Sequence, residues 1–356
     1  MQKLLVTQCE RQEREMQMRD DLGITTKLEN GKAYLEFALP EKIGRLLSAL
    51  QIEIWEGAEG ERLVFHGEYS SEEADSMTAL LLRPHLWDGM RDPYVYLVKA
   101  QGRFRSVEYG EKMGGMEKEE KLDSAEDITG EVEMYWRQEL TIYDVRVVEK
   151  KGILLNEKEF LPHEVVYRLP PQISDAGTRV EQVRRDLERL VQMGVNVIRL
   201  EGTGTGAEGV NCSEVRTFYS LCRKRGFLTG DLWIRPENLP VYRGLPGETT
   251  CQALLAADGR TLTERYYYYQ AKWSSEPVLY PVLSTLHRQE NGLLSLTIYS
   301  NQKKVVLYVD GVLFLFQSAA SGDPEFIFED IPVAKLPLHL AVEAGNLSIS
   351  LTVSKI

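Results

Sequence analysis

Three glycines, Gly204, Gly206 and Gly209, spell G-x-G-x-x-G directly after the apolar run "VNVIRL". In a dinucleotide-binding unit such glycines let the backbone turn tightly beside a pyrophosphate, which sits on the N-terminus of the following helix. Asp231, roughly 20 residues further on, stands where a ribose-binding carboxylate belongs. Context argues against that chemistry. The fingerprint belongs to the first strand of its domain and its last glycine opens the helix. Here a helical pattern precedes the strand, and the next one begins near Ser213. The segment is therefore expected to be a glycine-rich loop, with dinucleotide binding through Gly204, Gly206 and Gly209 kept as an alternative.

A second constellation lies at the ends of two apolar runs. Arg199 and Glu201 follow one, Asp231 and Trp233 the next. If the runs are neighbouring parallel strands, Glu201 and Asp231 come within reach of each other, and a carboxylate pair beside an aromatic platform is the composition of a sugar site. Glu201 and Asp231 are thus the catalytic candidates, and Arg199, Trp233 and Trp273 the ligand-binding ones. The competing expectation is that Arg199 pairs with Asp231, that Trp233 packs in a core, and that Trp273, with Tyr267 and Tyr269, belongs to a core rather than to a ligand site. His66, His85, His163, His287 and His339 are scattered, and Cys9, Cys212, Cys222 and Cys251 lack metal-ligand spacing. No metal and no cofactor is expected.

The formal net charge of -12 disfavours nucleic acid or an anionic membrane as partner, because either requires a basic face. The N-terminal stretch runs into charge after one short apolar run, which predicts neither a secretory signal nor a membrane span, and a cytoplasmic protein.

Several elements must position these residues. From 22 to 148 short alternating runs such as "KAYLEFAL" and "YVYLVKAQGRF" predict an antiparallel sandwich, interrupted after "GRF" by a Glu/Lys/Gly-rich loop. "TRVEQVRRDLERLVQMG" predicts a helix with Val180, Val183, Leu187, Leu190 and Val191 on one face, a capping box of Thr178 and Glu181, and Gly194 as its stop. "VNVIRL", the helix "SEVRTFYSLCRKRG" and "FLTGDLW" follow, an order that implies parallel pairing with a right-handed crossover. After a Pro/Gly-punctuated connector, six runs from about 290 onward predict a second sandwich, with Asp310-Gly311 marking a hairpin.

Five segments in order resemble glycoside hydrolase family 2, the β-galactosidase and β-glucuronidase family. They are "RPHLWDGMRDPYVYLVKAQ", "YDVRVVEKKGILLNEKEF", "VRRDLERLVQMGVNVIRLEG", "TFYSLCRKRGFLTGDLW", and "YYYYQAKWSSEPVL" with "IYSNQKKVVLYVDG". The resemblance implies an immunoglobulin-like domain, a (β/α)8 barrel and a tail sandwich. It also implies a retaining glycosidase whose acid/base is the Glu of an Asn-Glu pair ending barrel strand four and whose nucleophile is a Glu ending strand seven. Such a pair stands about 5 Å apart.

This chain departs from that pattern. Its one Asn-Glu pair, Asn156-Glu157, sits in the "LLNEKEF" hairpin, where the family has Asn-Gly. About 120 residues separate Arg146 from "YYYYQ", whereas a barrel takes at least about 200. Only "FLPHEVVYRL", "VNVIRL" and "FLTGDLW" match barrel strands, numbers one to three. The expected fold is mixed β and α/β, with two immunoglobulin-like β-sandwiches flanking a partial, three-stranded TIM-barrel-like unit. The expected boundaries are an extension at 1–21, a sandwich at 22–148, the truncated unit and connector at 149–264, and a second sandwich at 265–356.

The expected function is that of a pseudoenzyme, a non-catalytic carbohydrate- or protein-binding remnant. The alternative is residual O-glycosyl hydrolysis by Glu201 and Asp231, alone or completed by a partner chain. The exposed barrel strands call for cover by a homo-oligomer or another protein.

Overall fold

In Lys32–Ala38 every second side chain is buried: Ala33, Leu35 and Phe37 point inward, and Lys32, Tyr34 and Glu36 point to water. That period of two makes a half-buried strand. The computed structural model describes residues 22–74, 76–105, 131–149, 151–170, 176–201, 212–229, 239–244, 253–320 and 322–355. The expected extension at 1–21, the Glu/Lys/Gly-rich loop and the three glycines after "VNVIRL" lie outside them. The chain divides into two compact units, one of residues 1–160 with 223–226 and one of residues 161–222 with 227–356.

The first unit opens with seven strands: β1 (Gly23–Glu29), β2 (Lys32–Ala38), β3 (Leu47–Glu56), β4 (Arg62–Ser70), β5 (Thr78–Leu82), β6 (Tyr96–Arg105) and β7 (Glu131–Leu140). They form two antiparallel sheets, ordered β1-β2-β5 and β4-β3-β6-β7. Leu35, Phe37 and Leu81 of one sheet and Ile52, Ile54, Val98 and Trp136 of the other share one apolar core. β1 was not foreseen, because most of its residues are only half-buried and do not alternate cleanly. Asn30 and Gly31, at φ 50 and 71, make the two-residue turn that joins it to β2.

The run "YWRQELTIYDVRVVE" does not continue as one strand. It breaks after Leu140, and a small antiparallel sheet follows, β8 (Val145–Val148), β9 (Gly152–Leu155) and β10 (Lys158–Phe160). Asn156 and Glu157 form its second turn at φ 48 and 68. Asn156 Oδ1 accepts from the Asp144 amide at 3.0 Å, and its Nδ2 donates to Trp87 O at 2.9 Å. Glu157 holds a left-handed conformation with a side chain that is largely exposed and whose ion pair to Arg146 is a surface contact. Replacing it with glycine, Glu157→Gly, is expected to stabilise this unit by about 1 kcal/mol by relieving left-handed strain, read as a higher urea midpoint at unchanged slope.

The second unit begins with β11 (Glu164–Tyr167), α1 (Ala176–Met193), β12 (Val197–Leu200), α2 (Cys212–Lys224) and β13 (Leu228–Thr229). α1 begins ahead of Thr178, so that residue lies within the first turn and the expected capping box does not mark the start. Val183, Leu187 and Leu190 are buried as expected, whereas Val191 faces solvent and Met193 takes the inward place. Gly194, at φ 87, ends the helix.

The connector is where the expected three-stranded sheet needs correction. Val241–Arg243 (β14) and Ala253–Leu255 (β15) add two strands on the far side of β11, so the parallel sheet has five strands in the order β13-β12-β11-β14-β15. At three residues each, they are too short to show a period.

Helix α3 (Glu264–Trp273) leads into seven more strands: β16 (Leu279–Arg288), β17 (Leu294–Ser300), β18 (Lys304–Val309), β19 (Val312–Ser318), β20 (Glu325–Ile331), β21 (Leu338–Ala344) and β22 (Leu347–Val353). Their sheets, β16-β17-β20 and β19-β18-β21-β22, repeat the strand order of the first unit and again share one core. Asp310 and Gly311, at φ 46 and 80, form the expected hairpin turn. Among the described residues no helix is long and apolar enough to cross a membrane.

Candidate functional site

Parallel register fixes which side chains share a face. Glu164 lies opposite Val197, Val166 opposite Arg199 and Tyr167 opposite Leu200. Alternation then puts Glu164, Val166, Arg168, Val197, Arg199 and Glu201 on one face of the sheet, and Val165, Tyr167, Ile198 and Leu200 on the other. The second face lies under the helices, since Tyr167 stacks on Phe218 of α2 at 4.9 Å between ring centroids and reaches Asp186 of α1.

The first face carries charge at both ends of β11 and at the end of β12. Arg199 Nε and Nη2 both stand 3.0 Å from Glu164 Oε1, and the Glu164 side chain is wholly buried. Arg168 grips Glu201 through Nε and Nη2, and its Nη1 donates to Arg243 O at 3.3 Å. Each carboxylate is therefore matched to a guanidinium.

Of the sequence candidates, Arg199 and Glu201 lie on this face, and the buried partner of Arg199 is Glu164. Asp231 and Trp233 lie outside the described residues, as do Gly204, Gly206 and Gly209. Trp273, at the end of α3, stacks on His163 with ring centroids 5.2 Å apart and planes 6° from parallel, and against Tyr269 at 4.5 Å. His163 Nδ1 lies 2.8 Å from Gly194 O, and burial lowers the pKa of the ring. Tyr267 stacks on Tyr280 of β16 at 3.8 Å. Among the described residues, no cluster of three or more His, Cys, Asp or Glu side chains could hold a metal ion.

One buried carboxylate was not foreseen from the sequence. Asp186, fully buried on α1, accepts from Tyr167 Oη at 2.9 Å, Tyr242 Oη at 3.1 Å, Gln182 Nε2 at 3.0 Å and Arg243 Nη2 at 2.6 Å. Tyr167 and Tyr242 stack 5.5 Å apart, and burial beside the Asp186 carboxylate drives both phenols well above their ordinary pKa. The available signal was position: Asp186 sits between Val183 and Leu187 on the apolar stripe, where an acidic residue needs buried partners.

The face charges bear on hydrolysis through distance. Glu164 and Glu201 differ by four positions in register, which displaces them by about 13 Å along the strands. Retaining glycosidases need carboxyls about 5 Å apart and inverting ones about 6.5–9.5 Å.

No protein-family model and no curated protein sequence matches the chain. Solved structures do. An FMN-binding β-glucuronidase from Facaelibacterium prausnitzii L2-6 superposes with a TM-score of 0.63 at 13% identity, over 94% of this chain and 73% of that one. A β-glycosidase from Bacteroides vulgatus gives a TM-score of 0.60 at 12% identity, over 94% of this chain and 64% of that one. For the Parabacteroides merdae β-glucuronidase with glycerol in its active site the values are 0.57 and 11%, over 93% and 63%. The chain thus has the fold of these glycosidases across nearly all of its length, and it spans less than two thirds of the latter two.

Proposed function

We propose that this chain is a non-hydrolysing relative of the family 2 glycosidases, two immunoglobulin-like sandwiches around the remains of a (β/α)8 barrel, which binds a carbohydrate or a protein partner. The observation that carries the reading is the pairing on the charged face, where Glu164 is held by Arg199 and Glu201 by Arg168. A general acid must be protonated and a nucleophile must be free to attack. Each carboxylate is engaged by an arginine rather than open to a sugar, and the register offset between Glu164 and Glu201 exceeds the separation that either glycosidase mechanism uses. Sheet order supports the same reading. β14 and β15 occupy the flank of β11 that closing strands of a barrel would use, and residues 230–263, which hold both, are too few for the remaining strand–helix pairs of a cylinder.

The test is hydrolysis of chromogenic β-glucuronide and β-galactoside substrates. No turnover above buffer is expected, either for the chain itself or for Glu201→Gln. Turnover that Glu201→Gln abolishes would favour residual catalysis by Glu201 with Asp231.

A further inference from the structure

Helix α3 lies on the outer face of the sheet β16-β17-β20, and tyrosines line the seam between them. In β16, Leu279 and Pro281 stand opposite Ser300 and Ile298 of β17, and Ile298 belongs to the core. Tyr280, between them, therefore points outward to the helix. Tyr267 of α3 stacks on it with ring centroids 3.8 Å apart and planes 6° from parallel. Both side chains are half-buried, so water reaches the pair. The other tyrosine pairs among the described residues are farther apart, at 5.1–6.5 Å, and most of them meet edge to face. Offset or edge-to-face contact is the ordinary preference of aromatic rings. A near-parallel pair this close instead sets carbon atoms of one ring over carbon atoms of the other.

We propose that Tyr267 and Tyr280 form a site of oxidative cross-linking, at which a one-electron oxidant creates a carbon–carbon bond between the two rings and so ties α3 to β16. Each phenol gives one electron to the oxidant and its hydroxyl proton to water. The two phenoxyl radicals then join through one ortho carbon of each ring. The hydrogen on each of those carbons leaves as a proton while the ring oxygen takes one up, which restores both aromatic rings and leaves the chain two hydrogens lighter. Burial raises the pKa of Tyr280, and Tyr267 and Glu264 act in the same direction, so this phenol is neutral at neutral pH and its oxidation does release a proton.

Stacking favours the joining step for an orbital reason. The half-filled π lobes stand perpendicular to the rings and face each other across the stack, whereas an edge-to-face pair turns one of them toward the rim of its neighbour. Proximity adds to this, because two radicals held in place need no diffusive encounter.

The test is oxidation of the full chain with tris(bipyridyl)ruthenium, persulfate and light, in dilute solution so that coupling between molecules is rare. The expected product has monomeric mass, shows the blue fluorescence of dityrosine, and yields after trypsin a linked pair of peptides, 266–272 with 273–288, whose fragments place the bond at Tyr267 and Tyr280. Tyr267→Phe and Tyr280→Phe should each reduce that linked pair to background. Tyr268→Phe, next to the site, and Tyr135→Phe, an exposed phenol of the first unit, should leave its yield unchanged. Phenylalanine keeps the ring stack, so the circular dichroism spectra of all four variants should coincide with that of the unmodified chain. No link under conditions that oxidise Tyr135, a link mapped chiefly to another tyrosine, or a link that survives Tyr267→Phe would overturn the proposal.

Discussion

Asp186→Ala should lower the stability of the second unit by about 3–5 kcal/mol, the cost of leaving a buried charge without its partner. The carboxylate is the common acceptor for two phenols, an amide and the Arg243 guanidinium, and it is fully buried. Removing it strands the Arg243 charge, whose side chain is itself only 7% exposed, and leaves both tyrosine hydroxyls short of a bond. Chemical denaturation measures the loss. A double-mutant cycle with Arg243→Leu should return a coupling of at least about 2 kcal/mol, because the second substitution removes the charge that the first one orphaned. Strictly additive effects would mean that the network contributes nothing as a unit. Exchange at Tyr242 and Arg243 should also quicken, since Asp186 is what ties β14 to the helix layer.

Gly194→Ala is the second large effect, expected at about 2–5 kcal/mol. Gly194 has φ 87, and a Cβ built there would stand 2.4 Å from Trp273 O and 2.5 Å from Trp273 C. Those atoms cannot move aside cheaply. The Ser274 amide donates to Gln270 O at 2.9 Å, Asn301 Nδ2 donates to Ser274 O at 3.1 Å, and the Trp273 ring is clasped between His163 and Tyr269. The substitution therefore combines left-handed strain with backbone overlap where α1 meets α3. Differential scanning calorimetry should show the second unit melting roughly 10 °C lower, and a shift within about 2 °C would refute the close approach.

What could be read from the residues alone was whatever left a period or a turn signature. The alternation in Lys32–Ala38, the buried positions Val183, Leu187 and Leu190 of α1 and the Asp310-Gly311 turn are local, and each appears where it was expected. The two strands inside the connector were illegible. Val241–Arg243 and Ala253–Leu255 are held by parallel pairing to β11 and to each other, and nothing in three residues announces a partner so far away in sequence. The charges after the strands were read as Arg199 beside Asp231; Asp231 lies outside the described residues, and within them Arg199 pairs with Glu164, two positions back on the same face, a residue that looked like the start of an ordinary strand. Glu201 was singled out correctly as lying at a strand end. Its partner Arg168 follows β11 directly.

The proposal that this chain does not hydrolyse glycosides is tested most directly by covalent trapping. A β-glucuronidase of Bacteroides uniformis with the same fold, TM-score 0.54, has been captured covalently bound to cyclophellitol-6-carboxylate aziridine. Intact-mass measurement after incubating this chain with that reagent should show only the unmodified mass. An added mass of one reagent, mapped by peptide sequencing to Glu201, Asp231 or any other carboxylate, would contradict the account.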